Sequence, residues 1–223
     1  MIPAVRRTAL TVLLTGGVVG VATGVVFFSP VLGVREVEVT GNTGVPAEQI
    51  RAAAGVRNGT PLATVDLGEV ESRVRGMRAV ESARVERGWP GTLRVSVVER
   101  VPVAAVPMGA VTAVVDRFGV VLRQVAVAPP RLPVLRVQRA AAQDQATRAG
   151  LAVLRALPQD ILDRVQEVRA PSPASITLRL ADGRTVIWGD DARGAEKARV
   201  LRAVLVEPGS SYDVSSPKVV TVK

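Results

Sequence analysis

The chain has 223 residues, 48 % of them hydrophobic but only 3 % aromatic, so any core is aliphatic, and the valine excess leans toward strands. With no Cys and no His, it has no disulfide, no Cys-based zinc site, no cysteine nucleophile and no Ser-His-Asp triad. The net charge of +9 comes from 29 cations, all Arg except Lys197, Lys218 and Lys223. Such a surface suits nucleic acid, anionic lipid or anionic wall polymers, and genomic base composition is the plain alternative source of the Arg bias.

Residues 9–28, ALTVLLTGGVVGVATGVVFF, carry no charge and have the length of a helix that crosses about 30 Å of hydrocarbon. Arg6 and Arg7 precede them and the next charge is Arg35, which predicts residues 1–8 as a cytoplasmic tail and an exported remainder. A cleaved signal peptide ending near Ala22-Thr23-Gly24 is the rival, opposed by the apolar run continuing through Val25-Val26-Phe27-Phe28. Gly16, Gly20 and Gly24 fall on one helical face, where a second membrane helix could approach.

Pro30 and Gly33 mark the exit from this segment. Alternation over 34–40, with Val37 and Val39 on one face, predicts a strand. Pro46 and Gly55 bracket a short helix containing Ala47, Ile50 and Ala54. Asp66 reads as the N-cap of a second helix, with Glu69 completing a capping box, Leu67, Val70 and Val74 on its apolar side, and Gly76 at its end. Ala83 and Val85, then Leu93, Val95 and Val97, alternate as two strands joined by a turn at Trp89-Pro90-Gly91. One small sheet with two helices on one face follows from this order.

The prolines over 101–107 predict a hinge or an edge segment. Residues 110–115 and 119–125 flank Asp116-Arg117-Phe118-Gly119 as a hairpin, and Pro129-Pro130-Arg131-Leu132-Pro133 breaks the pattern. A helix is expected over 140–157, stopped by Pro158. Strands are expected at 165–169, 175–180 and 184–188, the last two joined by an Asp182-Gly183 turn. A basic amphipathic helix over 192–205 puts Ala195, Ala198, Leu201 and Leu205 on one side. Residues 212–216 and 218–222 read as a strand pair or one strand bent at Pro217.

Residues 80–104 read VESARVERGWPGTLRVSVVERVPVA. An R-x-W-P turn (Arg87, Trp89, Pro90) followed by V-x-E-R-x-P-V-A (residues 97–104) resembles the end of the POTRA module in the FtsQ/DivIB family of bacterial cell-division proteins. In the same order, Val37-Glu38-Val39-Thr40-Gly41-Asn42 resembles the family's first POTRA strand and turn. Asp116-Arg117-Phe118-Gly119-Val120-Val121 resembles its second-domain hairpin, and Leu132-Pro133-Val134-Leu135 the L-P-x-L after it. Glu196-Lys197 and Asp213-Val214-Ser215 resemble the closing helix and strand.

The resemblance implies an α+β chain: a single transmembrane helix, a β-α-α-β-β POTRA domain over 34–102, and a second mixed α/β domain over 103–223 with a largely antiparallel sheet and a C-terminal edge strand. It implies a non-enzymatic scaffold of the septal inner membrane, without catalytic, cofactor or metal residues. Such a scaffold binds FtsB-type and FtsL-type division proteins and helps control septal peptidoglycan synthesis, its POTRA module serving recruitment and further contacts. The implied pairing surface is the terminal strand region, Tyr212, Asp213, Val214, Ser215, Ser216, Val219, Val220, Thr221 and Val222, with Tyr212 as an aromatic anchor.

Other readings remain beside it. A POTRA-containing secretion or chaperone component is one, although no series of ten-residue alternating strands follows. A wall-processing enzyme is another, and Asp190-Asp191 is its only tight acid pair. That pair is expected rather to favour the N-terminus of the helix behind it. Trp89 is expected to pack on its own sheet, with a recognition turn as the alternative, and Trp188 to be core. Arg73, Arg75 and Arg78, and Arg193, Lys197, Arg199 and Arg202, are expected as solvated basic faces rather than lipid or wall-phosphate sites.

Overall fold

The computed structural model describes residues 13–21, 23–24, 32–138 and 141–223. Residues 13–21 and 23–24 of the expected membrane span are helical. The rest of the span, the tail over 1–8, the signal-peptide residue Ala22 and the exit residue Pro30 lie outside the described residues. Among those described, no helix is long and apolar enough to cross a membrane. The chain divides between Arg100 and Val101 into two units, each with its own core.

The first unit runs β1 (Glu36–Thr40), α1 (Ala47–Ala54), α2 (Leu67–Arg75), β2 (Val80–Gly88), β3 (Thr92–Glu99). Its sheet order is β1-β3-β2, with β1 parallel and β2 antiparallel to β3. Alternation along β3 sends Leu93, Val95 and Val97 to one face. There they meet Ile50 and Ala54 of α1 and Val70 and Val74 of α2. Each of the Val, Leu and Ile side chains among them, fully buried, contributes about 1.5–3 kcal/mol. Pro46 lies just outside α1 as its N-cap, and Gly55 closes it in the left-handed conformation. Asp66 caps α2 by accepting from the Glu69 N–H at 3.0 Å, but the box is one-sided, because the Glu69 carboxylate pairs with Arg73, 3.0 Å away. Arg87 donates to the carbonyls of Leu62 and Val65 at 2.7 Å, pinning the 3-10 turn Leu62–Thr64 to β2.

Both outer edges of this small sheet are met by side chains. Arg51 Nε donates to the Val37 carbonyl at 2.8 Å on β1, and Glu71 accepts from the Val85 N–H at 2.9 Å on β2. Occupied groups of this kind blunt an edge against strand addition.

Glu99 ties the loop after β1 to the end of β3, accepting from the N–H groups of Thr43 (2.7 Å), Gly44 (2.9 Å) and Val45 (2.9 Å). Burial pushes its carboxyl up, but the N–H donors of Val45, Thr43 and Gly44 and the Thr43 hydroxyl outweigh that and hold it below the ordinary glutamate value. A carboxyl depressed in the folded state stabilises the fold above its unfolded value, and that contribution is lost as pH falls through the folded one. The urea midpoint of the first unit is therefore expected to be flat down to about pH 5 and to fall below it. Glu99→Gln should lower the midpoint at pH 7 and flatten the acid limb; an unchanged limb would contradict this assignment.

The second unit holds nine strands in the order β12-β11-β10-β9-β8-β7-β4-β5-β6. They are β4 (Pro102–Met108), β5 (Val111–Asp116), β6 (Val121–Val125), β7 (Val134–Val137), β8 (Val165–Ala170), β9 (Ile176–Leu180), β10 (Thr185–Gly189), β11 (Ser211–Asp213) and β12 (Thr221–Val222). Antiparallel pairings predominate, with β4–β7, β7–β8 and β10–β11 parallel. Helices α3 (Gln145–Ala156), α4 (Gln159–Leu162) and α5 (Gly194–Val204) bury Leu151, Leu154, Ile161 and Leu201 against it.

Two expectations are corrected here, and one strand is added. Residues 102–108 form an interior strand rather than a hinge or edge. Pro102 and Pro107 sit toward its ends, while its middle amide, Ala105 N–H, donates to Pro133 O at 2.9 Å. Residues 134–137, which directly follow the proline run over 129–133 and carry no predicted element, form β7 between β4 and β8. The helix expected from residue 140 begins at Gln145, because Asp144 caps it by accepting from the Thr147 N–H at 2.8 Å; residue 140 itself is outside the described residues.

Candidate functional site

The C-terminal end of the nine-stranded sheet is assembled by β10, α5, β11 and β12. The Asp182-Gly183 turn reverses the chain from β9 into β10, with Gly183 at φ +87°. Helix α5 carries the chain across, so β11 returns parallel to β10, the connection a parallel pair requires. A turn at 215–219, with Val219 N–H donating to Ser216 O at 3.0 Å, then sends β12 back along β11. The pair reading of this region holds, but β12 is shorter than residues 218–222.

Ser211 and Lys223 exchange both backbone bonds, at 2.9 and 3.0 Å. Antiparallel pairs alternate, so the next pair, Tyr212 and Val222, makes no inter-strand bond. The N–H and C=O of Val222 consequently face the open side of β12, which ends the sheet order. At the opposite end, β6 carries the exposed Arg123 in its middle and a register shift against β5, both edge-protecting features.

The predicted pairing residues divide by burial. Tyr212 and Val214 are fully buried, so the aromatic anchor expected at Tyr212 is part of this unit's own core. The Tyr212 hydroxyl donates to the Glu207 carbonyl at 2.7 Å and accepts from Arg184 at 3.2 Å. Arg184 also donates to Leu205 O at 2.9 Å and pairs with Asp182 at 2.8 Å. Its hydrogen bond holds the Asp182 carboxyl well below the usual range, and the same bond raises the guanidinium. Asp213 accepts from the Ser215 N–H at 2.9 Å, shaping the turn. Ser215 and Val220 are half-buried, whereas Ser216, Val219, Thr221 and Val222 are exposed. Beside Gly16, Gly20 and Gly24, no described atom lies within 4 Å of where a Cβ would stand.

Lys197 is the residue that sequence reasoning missed. It is fully buried rather than part of a solvated basic face. Its ammonium donates to Asp190 Oδ1 at 2.6 Å and to the Asp190 carbonyl at 2.9 Å, and lies 6.0 Å from the centroid of the buried Trp188. The Lys197 hydrogen bond lowers the Asp190 carboxyl, against burial. Asp190 thus serves a buried cation besides accepting from the Ala192 N–H. Ala195, expected on the apolar side, is exposed. The signal was present, since Lys197 stands four and eight residues before Leu201 and Leu205. Gly189, just before Asp190, has φ +80°, and an added Cβ would come 2.9 Å from that of Ser215. Only glycine fits there. Among the described residues, no group of three or more Asp and Glu could hold a metal ion.

Comparison with known families gives this build its class. Residues 32–100 match the POTRA domain, FtsQ-type, and residues 104–219 match the C-terminal domain of cell division protein FtsQ/DivIB. The chain is 46 % identical over 207 residues to the cell division protein FtsQ of Mycolicibacterium smegmatis, covering 92 % of this chain and 62 % of that protein. It is 44 % identical to that of Mycobacteroides abscessus (96 % and 68 %) and 36 % identical to that of Streptomyces bingchenggensis (95 % and 84 %). The chain therefore belongs to the FtsQ/DivIB family of bacterial cell-division proteins. It spans less than two thirds of the length of the M. smegmatis relative.

Proposed function

We propose that this chain is a non-enzymatic division scaffold, anchored in the inner membrane by residues 9–28. Its exported second domain is extended at β12 by a strand of an FtsB-type partner, held in a complex with an FtsL-type protein at the septum. Through that complex it helps control septal peptidoglycan synthesis. The observation that carries this reading is the open backbone of Val222 on β12, the terminal strand that lacks the edge-protecting features of β6. An added strand gains main-chain hydrogen bonds there, and the exposed Val219, Thr221 and Val222 offer β-prone side chains beside them. The first unit supports the contrast, since side chains already occupy groups on both of its edges.

Because Tyr212 and Val214 are core residues, removing residues 212–223 would damage the fold itself. Val222→Pro is the sharper test, for it deletes an outward N–H and leaves the Ser211–Lys223 bonds in place. Co-purification of the detergent-solubilised chain with the exported segments of FtsB-type and FtsL-type proteins should weaken about tenfold, the loss of roughly 1.4 kcal/mol. Undiminished binding would remove strand addition at β12 from the mechanism.

A further inference from the structure

The turn between β2 and β3 leaves Trp89 52 % exposed, against the expectation that it packs on its own sheet. Its place in the unit is set by strand direction. β1 and β3 are parallel, with Glu36 opposite Thr92, so the start of β3 and the turn preceding it lie at the end where the chain comes into β1. The Gly91 carbonyl accepts from the Arg35 N–H at 2.7 Å, and the Arg35 side chain runs beside Gly91. The loop at 57–60 closes on the same end, where Gly59 N–H donates to Val34 O and Val34 N–H to Thr60 O, both at 2.8 Å. Exposed at this end are therefore an indole and the side chains of Arg35 and Arg57.

Gly33, buried between these two loops, is five residues past Phe28, the last apolar residue of the proposed span. Five residues reach at most about 17 Å, and the headgroup layer occupies about 5–8 Å of that on each side of a bilayer. An indole has an apolar body and one N–H donor, the combination that favours the membrane–water interface, and arginines beside it favour anionic headgroups.

We propose that the Trp89 turn is a lipid-contacting surface, seated in the headgroup region of the membrane from which the chain emerges, with Arg35 and Arg57 against anionic headgroups. The inference rests on the membrane-anchor reading of residues 9–28. The turn fixes how far the first unit stands from the bilayer, a constraint that a tether alone does not supply.

The chain has two tryptophans, and Trp188 is buried in the second unit, so it serves as an internal reference. The full chain is reconstituted into phosphatidylglycerol-containing vesicles whose acyl chains are brominated near the headgroup or near the methyl end. Retention in the vesicles after alkaline extraction reports the anchor, and its loss would defeat the anchor reading and this inference with it. In anchored protein, headgroup-proximal bromine is expected to quench one of the two tryptophan emissions, methyl-end bromine to quench less, and the residual emission of Trp89→Phe to be insensitive to both. Anchored protein with unquenched emission, or with quenching that persists in Trp89→Phe, would overturn the lipid contact while leaving the anchor standing.

Discussion

Tyr212→Ala is expected to cost about 3–5 kcal/mol, the range for truncating a fully buried aromatic side chain, and to abolish partner binding at the terminal strands. The ring is in the core of the second unit and its hydroxyl is the meeting point of three segments. It donates to Glu207 O in the loop after α5, and it accepts from Arg184, which also holds the end of α5 through Leu205 O and the β9–β10 turn through Asp182. Arg184 lies over the ring as well, 5.6 Å from its centroid. Truncation removes the apolar mass under β11 and the bonds that hold the loop after α5 at Glu207 and Gly209, next to β12. Tyr212→Phe keeps the ring and loses only the hydroxyl's partners, a cost of about 1 kcal/mol. Urea unfolding of both variants separates the two contributions. Partner binding should survive Tyr212→Phe and fail in Tyr212→Ala, because the strand edge depends on the ring's position rather than on contact with it. A binding loss as large in Tyr212→Phe as in Tyr212→Ala would instead point to direct recognition of the hydroxyl.

The second large effect concerns Lys197 and is asymmetric. Asp190→Ala leaves a fully buried ammonium with only the Asp190 carbonyl and the Trp188 ring for company. Breaking a buried pair from one side costs about 3–5 kcal/mol. The lower end applies here, because the Asp190 side chain is 54 % exposed and solvent already screens part of the interaction. Lys197→Met is expected to be nearly neutral, within about 1 kcal/mol, because a buried pair replaced by an apolar side chain of similar volume sheds its desolvation cost. The carboxylate left behind is half in water. Trp188 emission monitors both variants during unfolding, since its ring borders the ammonium. Equal destabilisation by the two substitutions would show that the methylenes of Lys197, rather than its charge, are what the site requires.

Much of the fold was legible in the sequence because its signals are local. Alternation of Leu93, Val95 and Val97, the Asp66 cap, and the hairpins at Asp116-Arg117-Phe118-Gly119 and Asp182-Gly183 each depend on residues within a few positions of one another. The terminal strand pair was also legible, and with it the region of the candidate edge. Harder to see were elements defined by distant partners. β4 and β7 carry prolines within or beside them, and each is a strand because its neighbour supplies the ladder, through pairings such as Ala105 with Val134 and Leu135 with Val168.

Local patterning was enough for the family resemblance, for most of the element order, for the charge-free stretch over 9–28 and for the chemistry excluded by the lack of Cys and His. Tertiary structure decided which side of each element is inside. Tyr212 became a core residue because β11 is flanked by β10 and β12 and roofed by the loop after α5, so its ring faces inward while the Val222 backbone on β12 faces out. Lys197 went inside because α5 is rotated to bring it over Trp188 with Asp190 as its partner, and Trp89 stayed outside because the turn it occupies lies beside the chain's entry into β1. Periodicity states that a face is apolar; which residue sits at its centre depends on the distant charge, ring or carbonyl that meets it there.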